Sequence, residues 1–309
     1  MTFSERAKSE ILIKNKKQPC CQVAFLSAFI RGAGTISVIN GNIGFEIISE
    51  NPSAIDYCAE IISTLYGQKV KKEVFHQGKK YKISLINDKS VNVLIDLGIL
   101  STDESGVSIN LNIDKYLIEN DCCKQSYVAG AFMGGGSVTV PSIDKKTSTS
   151  YHLEFVFSKY QTASDFASIL TEKGFLPKLT ERKENYIVYF KNGDEISELL
   201  FYIGATKCCF ELKDIVINKD IRNVTNRRIN CEIANIDKQI IAGENQVKSI
   251  NTIIQTIGLD NLSEQLRQTA MLRLENPESS LEELSKISGL TKSCLNHRLR
   301  KITEIANNL

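Results

Sequence analysis

"FIRGAGTISV" at residues 29–38 and "FMGGGSVTV" at residues 132–140 spell one phrase twice, Gly34 lying over Gly136 at an offset of 102. In each copy an apolar helical run ends in glycine and alanine and passes straight into alternating residues, the signature of a strand. A glycine inside a helix costs about 1 kcal/mol relative to alanine. A chain that keeps it twice must recover that cost by close contact. Ala28 and Gly32 stand four apart in the first copy, and Gly130 and Gly134 in the second. That spacing puts each pair on one helix face as a smooth stripe. The natural partner of each stripe is the other copy, so these four residues are expected to form a packing seam.

The duplication runs beyond the phrase. After a longer loop in the second copy, "GFEIISENPSAIDYCAEII" (44–62) matches "HLEFVFSKYQTASDFASIL" (152–170) at an offset of 108, with Glu46 over Glu154. Each copy continues with two alternating segments, "KVKKEVF" and "YKISLI" in the first, "LPKLTERK" and "YIVYFK" in the second. Each then closes on a short helical stretch, "SVNVLIDLGIL" or "ISELLFYIGA". The expected fold is α+β: an αββαββα saddle written twice, about residues 20–100 and 122–205, behind a short N-terminal helix over 4–14.

"LSAFIRGAG" (26–34) and "VAGAFMGGG" (128–136) resemble the motif helices of the LAGLIDADG homing endonucleases. The resemblance implies two motif helices packed at the centre of a duplicated saddle. In those nucleases the penultimate motif residue is an aspartate that holds a divalent metal over the scissile phosphate, and hard cations require such anionic oxygens. The matching positions here are Ala33 and Gly135, neither of which can ligate a metal. Glu46 and Glu154 fall in strands after the motif helices, where a repeated glutamate reads as solvated or ion-paired. No residue is therefore assigned a catalytic or metal-binding role, and no cofactor is called for.

Composition bounds the rest. The 309 residues exceed one typical domain, and 42% hydrophobic content suffices for more than one core. "MTFSERAKSEILIKNKK" has no apolar run of a signal peptide, and no stretch approaches the ~18 apolar residues of a membrane span. A cytoplasmic protein is expected. The nine cysteines include three adjacent pairs: Cys20 with Cys21, Cys122 with Cys123, and Cys208 with Cys209. Neighbouring cysteines do not easily bridge each other or share one tetrahedral ion, so they read as reduced thiols packed as small hydrophobes. A net charge of +2 conceals two basic stretches. Lys69, Lys71, Lys72, Lys79, Lys80 and Lys82 face only Glu73 among acids, and residues 286–301 hold five basic residues and no acid. Such patches suit a polyanion.

Past residue 220 the pattern turns helical. Ile229, Ile233, Ile236, Ile240, Val247, Ile250, Ile254 and Ile257 recur at steps of three and four, broken around Gly243 and ending at Gly258. One long helix, or two joined near Gly243, is expected. "LSEQLRQTAMLRLENP" (262–277) is a further helix stopped at Pro277. In "SSLEELSKISGLTKSCLNHRLRKI" (279–302), Ser280 with Glu283, or Ser279 with Glu282, forms a capping box. Ser288 and Gly289 supply a turn, and Thr291 caps a second helix with Cys294, Leu295, Leu299 and Ile302 inward. Its outward face carries Lys292, Ser293, Asn296, His297 and Arg300. This is a helix-turn-helix pattern, whose second helix enters the major groove of double-stranded DNA. Asn and Arg can read adenine and guanine, while Thr291 and Ser293 reach a base or a phosphate. Lys286, Arg298 and Lys301 flank the helix as phosphate contacts.

Saddle and helix-turn-helix together resemble the WhiA family of bacterial sporulation regulators, most closely in "YVAGAFMGGGSV" (127–138), "NRRINCEIANIDK" (226–238) and "LTKSCLNHRLRKI" (290–302). The match covers nearly the whole chain; the paired cysteines belong to no motif of it. The resemblance implies a nucleoid-associated DNA-binding regulator linked to sporulation, cell division or chromosome segregation. It also implies a nuclease-like saddle without activity and a C-terminal domain as the main DNA-binding element. The expected boundaries are 1–19, 20–217, 218–258 as a helical linker, and 259–309. Two rival readings are an active endonuclease and a division scaffold whose saddle docks a regulatory protein.

Overall fold

The computed structural model describes residues 1–14, 18–75, 79–104, 106–141 and 150–309, divided into two compact units, Met1–Lys219 and Asp220–Leu309. The longer loop of the second repeat, over 142–149, lies outside the described residues.

The first unit opens with α1 (Phe3–Lys14), which buries Phe3, Ala7 and Ile11. The first repeat then runs α2 (Pro19–Ala33), β1 (Gly34–Ile39), β2 (Asn42–Ser49), α3 (Pro52–Tyr66), β3 (Glu73–Phe75), β4 (Lys80–Leu85) and α4 (Ser90–Asp96). A hairpin of β5 (Leu100–Asp103) and β6 (Gly106–Ile109), which the sequence reading did not foresee, links it to the second repeat. That repeat comprises α5 (Asp121–Gly135), β7 (Gly136–Thr139), β8 (His152–Phe157), α6 (Tyr160–Glu172), β9 (Lys178–Arg182), β10 (Asn185–Phe190) and α7 (Gly193–Tyr202). The two sheets have equivalent antiparallel orders, β1-β2-β4-β3 and β7-β8-β10-β9. Even the register repeats: Thr35 pairs with Glu46 as Ser137 pairs with Glu154. Strand β3 is shorter than expected, so Lys69, Lys71 and Lys72 lie before it rather than in it.

Alternation sorts each sheet into a core face and an open face. Phe45, Ile47 and Ile83 in one sheet and Leu153, Phe155 and Val188 in the other are fully buried. Fully burying one such side chain contributes about 1.5–3 kcal/mol. Helices α2 and α5 meet along a seam on which Phe25 lies against Gly130, Phe29 against Gly134, and Gly32 against Gly134 and Gly135. A Cβ on Gly130 would stand 2.2 Å from the Phe25 carbonyl oxygen, and one on Gly32 would stand 2.8 Å from the Gly135 nitrogen. Ala28 is buried in the same region. The sequence of contacts runs in one direction along both helices, so their N-terminal ends also lie side by side. This placement brings the two N-terminal cysteine pairs together. Cys20 and Cys21 meet Cys122 and Cys123, all four sulfurs lying within 4.8 Å of one another.

Of the one long helix or two joined near Gly243 that were expected, the structure has one. Helix α8 runs unbroken from Thr206 to Thr256, starting well before the expected linker and passing through Gly243 without interruption. A Cβ at Gly243 would lie 3.2 Å from the Pro277 carbonyl oxygen, so this glycine makes room for a neighbouring loop instead of ending a helix. In the second unit α8 is followed by α9 (Glu264–Glu275), α10 (Leu281–Ser288) and α11 (Lys292–Asn307). Their core is Ile250, Ile253, Leu262, Leu266, Ala270, Leu299 and Ile302. Ile229, Ile233, Ile236 and Ile240, earlier on α8, are exposed.

Candidate nucleic-acid interface

Helix α10 starts because Ser280 and Glu283 close a reciprocal capping box. The Glu283 backbone N–H donates to Ser280 Oγ at 3.2 Å, and the Ser280 N–H donates to Glu283 Oε2 at 2.7 Å. It stops at Gly289, whose φ of 69° is the left-handed conformation that glycine adopts without penalty. Ser285 Oγ then donates to the Leu290 carbonyl at 2.5 Å, which fixes the exit of the turn. Thr291 Oγ1 accepts from the Cys294 N–H at 3.3 Å and begins α11. Leu284, Leu295, Leu299 and Ile302 are buried and hold the two helices together, with Cys294 half-buried.

Accepting the Ser280 N–H holds the Glu283 carboxyl below the usual glutamate range. Its contribution is therefore complete above the ordinary glutamate pKa and is lost as pH falls through the depressed value. Ser280→Ala is expected to cost about 1 kcal/mol, read by urea unfolding at neutral pH; alanine keeps the backbone N–H that Glu283 accepts, so most of that acid sensitivity should remain, and Glu283→Ala should remove it.

Thr291, Lys292, Ser293, Asn296, His297, Arg300 and Lys301 are exposed, while Arg298 is half-buried. Ser293, Asn296, His297 and Arg300 follow at steps of three, one and three, which places them on one face of α11. Lys286 lies on α10 and makes a 3.6 Å pair with Glu282, both side chains mostly solvated. Such a pair is worth little and leaves the lysine available.

Sequence reasoning missed Arg273. It is 2% exposed, with Nη1 donating to the carbonyls of Ser279 at 2.6 Å and Asn276 at 3.3 Å. A longer contact reaches the Pro277 carbonyl at 3.5 Å. One guanidinium thus gathers the loop between α9 and α10 and sets where α10 begins. Arg31 does the same in the saddle, donating to the carbonyls of Gly98, Asn110 and Asn112 at 2.6, 3.0 and 3.0 Å. Neither has a local signal, because the acceptors are backbone atoms that any residue supplies.

On the saddle, Ala33 and Gly135 are the last residues of α2 and α5. At Gly135 there is also no room: a Cβ would fall 2.8 Å from the Val156 carbonyl oxygen. Glu46 pairs with Lys82 at 3.2 Å, and Glu154 accepts from Ser137 Oγ at 3.3 Å and meets His152 Nε2 at 2.9 Å. Two lysines of the 69–82 stretch are ion-paired. Lys82 is held by Glu46 and by Glu73 at 3.1 Å, and Lys72 by Asp56 at 2.7 Å. Lys69, Lys71 and Lys79 are exposed and Lys80 half-buried.

A duplicated LAGLIDADG-like domain joined to a helix-turn-helix unit is the class that this fold defines. The family model of the WhiA N-terminal LAGLIDADG-like domain matches residues 19–100, that of the WhiA LAGLIDADG-like domain residues 124–222, and that of the WhiA C-terminal HTH domain residues 225–306. The chain belongs to the WhiA family. It is 35% identical to "Probable cell division protein WhiA" of Clostridium acetobutylicum, covering 100% of this chain and 98% of that protein. The protein of the same name from Bacillus cytotoxicus is 38% identical, covering 100% and 97%. The crystal structure of full-length WhiA from Thermatoga maritima has the same fold, with a TM-score of 0.60 over 100% of this chain and 99% of that one at 24% identity. Among the described residues no helix is long and apolar enough to cross a membrane.

Proposed function

We propose that the chain is a sequence-specific regulator of transcription, binding double-stranded DNA through α11 on the nucleoid and serving cell division, chromosome segregation or sporulation. The observation that carries this reading is the exposed polar face of α11, with Asn296 and Arg300 as base readers and no acid from 286 to 301. Lys286, Lys292, Arg298 and Lys301 set the helix on the phosphates, with Lys69, Lys71, Lys79 and Lys80 as nonspecific support. The relatives' name as cell division proteins favours the physiological role.

The saddle, on this reading, does not cut DNA. Its motif helices end in Ala33 and Gly135 with no carboxylate, Gly135 has no space for one, and Glu46 and Glu154 are engaged by Lys82 and His152. Its open faces remain available to a regulatory protein.

The test begins with selection of bound genomic fragments and titration of the enriched duplex by fluorescence anisotropy. Asn296→Ala and Arg300→Ala are each expected to cost 1–3 kcal/mol, about 5- to 150-fold in affinity. Lys292→Ala should weaken all duplexes alike and lower the salt slope by about 1. Plasmid incubated with magnesium should stay supercoiled. Unchanged affinity in both the Asn296 and the Arg300 variants at moderate salt would remove α11 as the reader.

A further inference from the structure

We propose that Cys20, Cys21, Cys122 and Cys123 form a tetrathiolate site for one soft or borderline metal ion, Zn2+ by preference, clamping the two repeats at the N-terminal end of their helix seam. The four sulfurs lie within 4.8 Å of one another, and Cys122 Sγ stands 4.0 Å from Cys123 Sγ. None is in a disulfide. A tetrahedral shell at a Zn–S distance of about 2.3 Å has its sulfurs about 3.8 Å apart. The observed spread is therefore about an ångström from that shell and far from the 2.05 Å of a disulfide. A polynuclear iron–sulfur cluster would interpose its own iron and sulfide between the cysteines and needs them spread wider.

Adjacent cysteines on a helix diverge by about 100°, which is why one pair alone closes poorly around an ion. Here each diverging pair supplies two corners, and the second helix supplies the other two. Cys20 and Cys21 follow Pro19 in the first turn of α2, as Cys122 and Cys123 follow Asp121 in the first turn of α5. A divalent ion with four thiolates carries a net charge of −2, and two helix N-termini converging on it offset that charge. Lys173 pairs with Asp121 and screens the nearest carboxylate. Gln18 Oε1 lies 3.6 Å from Cys21 Sγ; the same amide turned end for end would donate to a thiolate.

Access is graded in the way a loading site requires. Cys20 is exposed and Cys122 half-buried, whereas Cys21 and Cys123 are buried. An ion can enter past the first and be shielded by the last. Binding would release the thiol protons to solvent and couple metal affinity to the folding of the saddle. Hard, oxygen-seeking cations would be rejected by an all-sulfur shell.

The test uses the full chain, reduced, stripped with chelator and titrated with Co2+ and then Zn2+. The expected result is one ion per chain, a thiolate-to-cobalt charge-transfer band with intense tetrahedral visible absorption, displacement by Zn2+, and a Tm that rises with Zn2+. The Cys20→Ser/Cys122→Ser variant should lose both the spectrum and the Tm response. Its affinity should fall by more than the about 100-fold typical of losing a supporting partner. Cys20→Ser alone, at an exposed position, keeps the comparison valid if the double variant fails the far-UV circular dichroism check; it should shift and weaken the cobalt spectrum. Cys231→Ser, at an exposed position, should change nothing, and Cys294→Ser should leave the cobalt spectrum unchanged. Metal content well below one ion per folded chain, an octahedral cobalt spectrum, or full binding by folded Cys20→Ser would overturn the proposal. So would peptide mapping that finds Cys20 or Cys21 cross-linked to Cys122 or Cys123 in protein that takes up no metal.

Discussion

Gly130→Ala destabilises the first unit by about 2 kcal/mol, and Gly130→Leu prevents it from folding as a saddle. The new Cβ would stand 2.2 Å from the Phe25 carbonyl oxygen and 3.0 Å from the Phe25 Cα and carbonyl carbon. These are backbone atoms of a buried helix and cannot rotate away, so α2 and α5 must separate. Separation opens the packing of Phe25, Phe29, Val128 and Phe132, all 0% exposed. Overpacking ordinarily costs 1–3 kcal/mol, and alanine returns about 1 kcal/mol through helix propensity. The contact with main chain puts the expected net at the upper end. With no tryptophan in the chain, urea unfolding is followed by far-UV circular dichroism and tyrosine fluorescence, with the two units fitted as separate transitions. A loss below about 0.5 kcal/mol would mean that the seam is looser than its geometry.

Arg273→Ala is expected to destabilise the second unit by about 2–4 kcal/mol, while Arg273→Met costs less. The alanine variant leaves the carbonyls of Ser279 and Asn276 without their buried donor and removes the packed aliphatic stem. Methionine restores the stem and forfeits only the hydrogen bonds. Burial pulls the arginine pKa down from its ordinary value, yet a guanidinium stays charged across the physiological range, so the difference between the variants should be flat from pH 6 to 8. Because Arg273 sets the loop before Ser280, the variants should also lose the proposed DNA affinity in proportion to unfolding, with the salt slope unchanged. A changed slope at full folding would instead make Arg273 a phosphate contact.

What was legible in the chain was what is local or repeated. The capping box at Ser280, the left-handed Gly289 and the Thr291 cap each depend on atoms within a few residues. The saddle was legible because it is written twice: a period-two strand after a glycine-ended helix, met again 102 residues later, leaves few other folds. Gly243 left one helix or two open because glycine ordinarily weakens a helix, and the Pro277 carbonyl packed 3.2 Å from its missing Cβ explains its place in an unbroken one. The partners of Lys82 and Lys72 were not legible from the lysine count at 69–82, because Glu46 and Asp56 come from other elements.

The sequence by itself determined the duplicated α+β class, the missing carboxylates at Ala33 and Gly135, and the polar face of α11, because periodicity, capping and residue chemistry are properties of neighbours along the chain. Only the tertiary structure decided the convergence of four thiols from residues about 100 positions apart, the two arginines that bind loops through backbone carbonyls, and the engagement of Glu46 and Glu154. Those depend on distances between segments, and packing the two repeats against each other is what sets them.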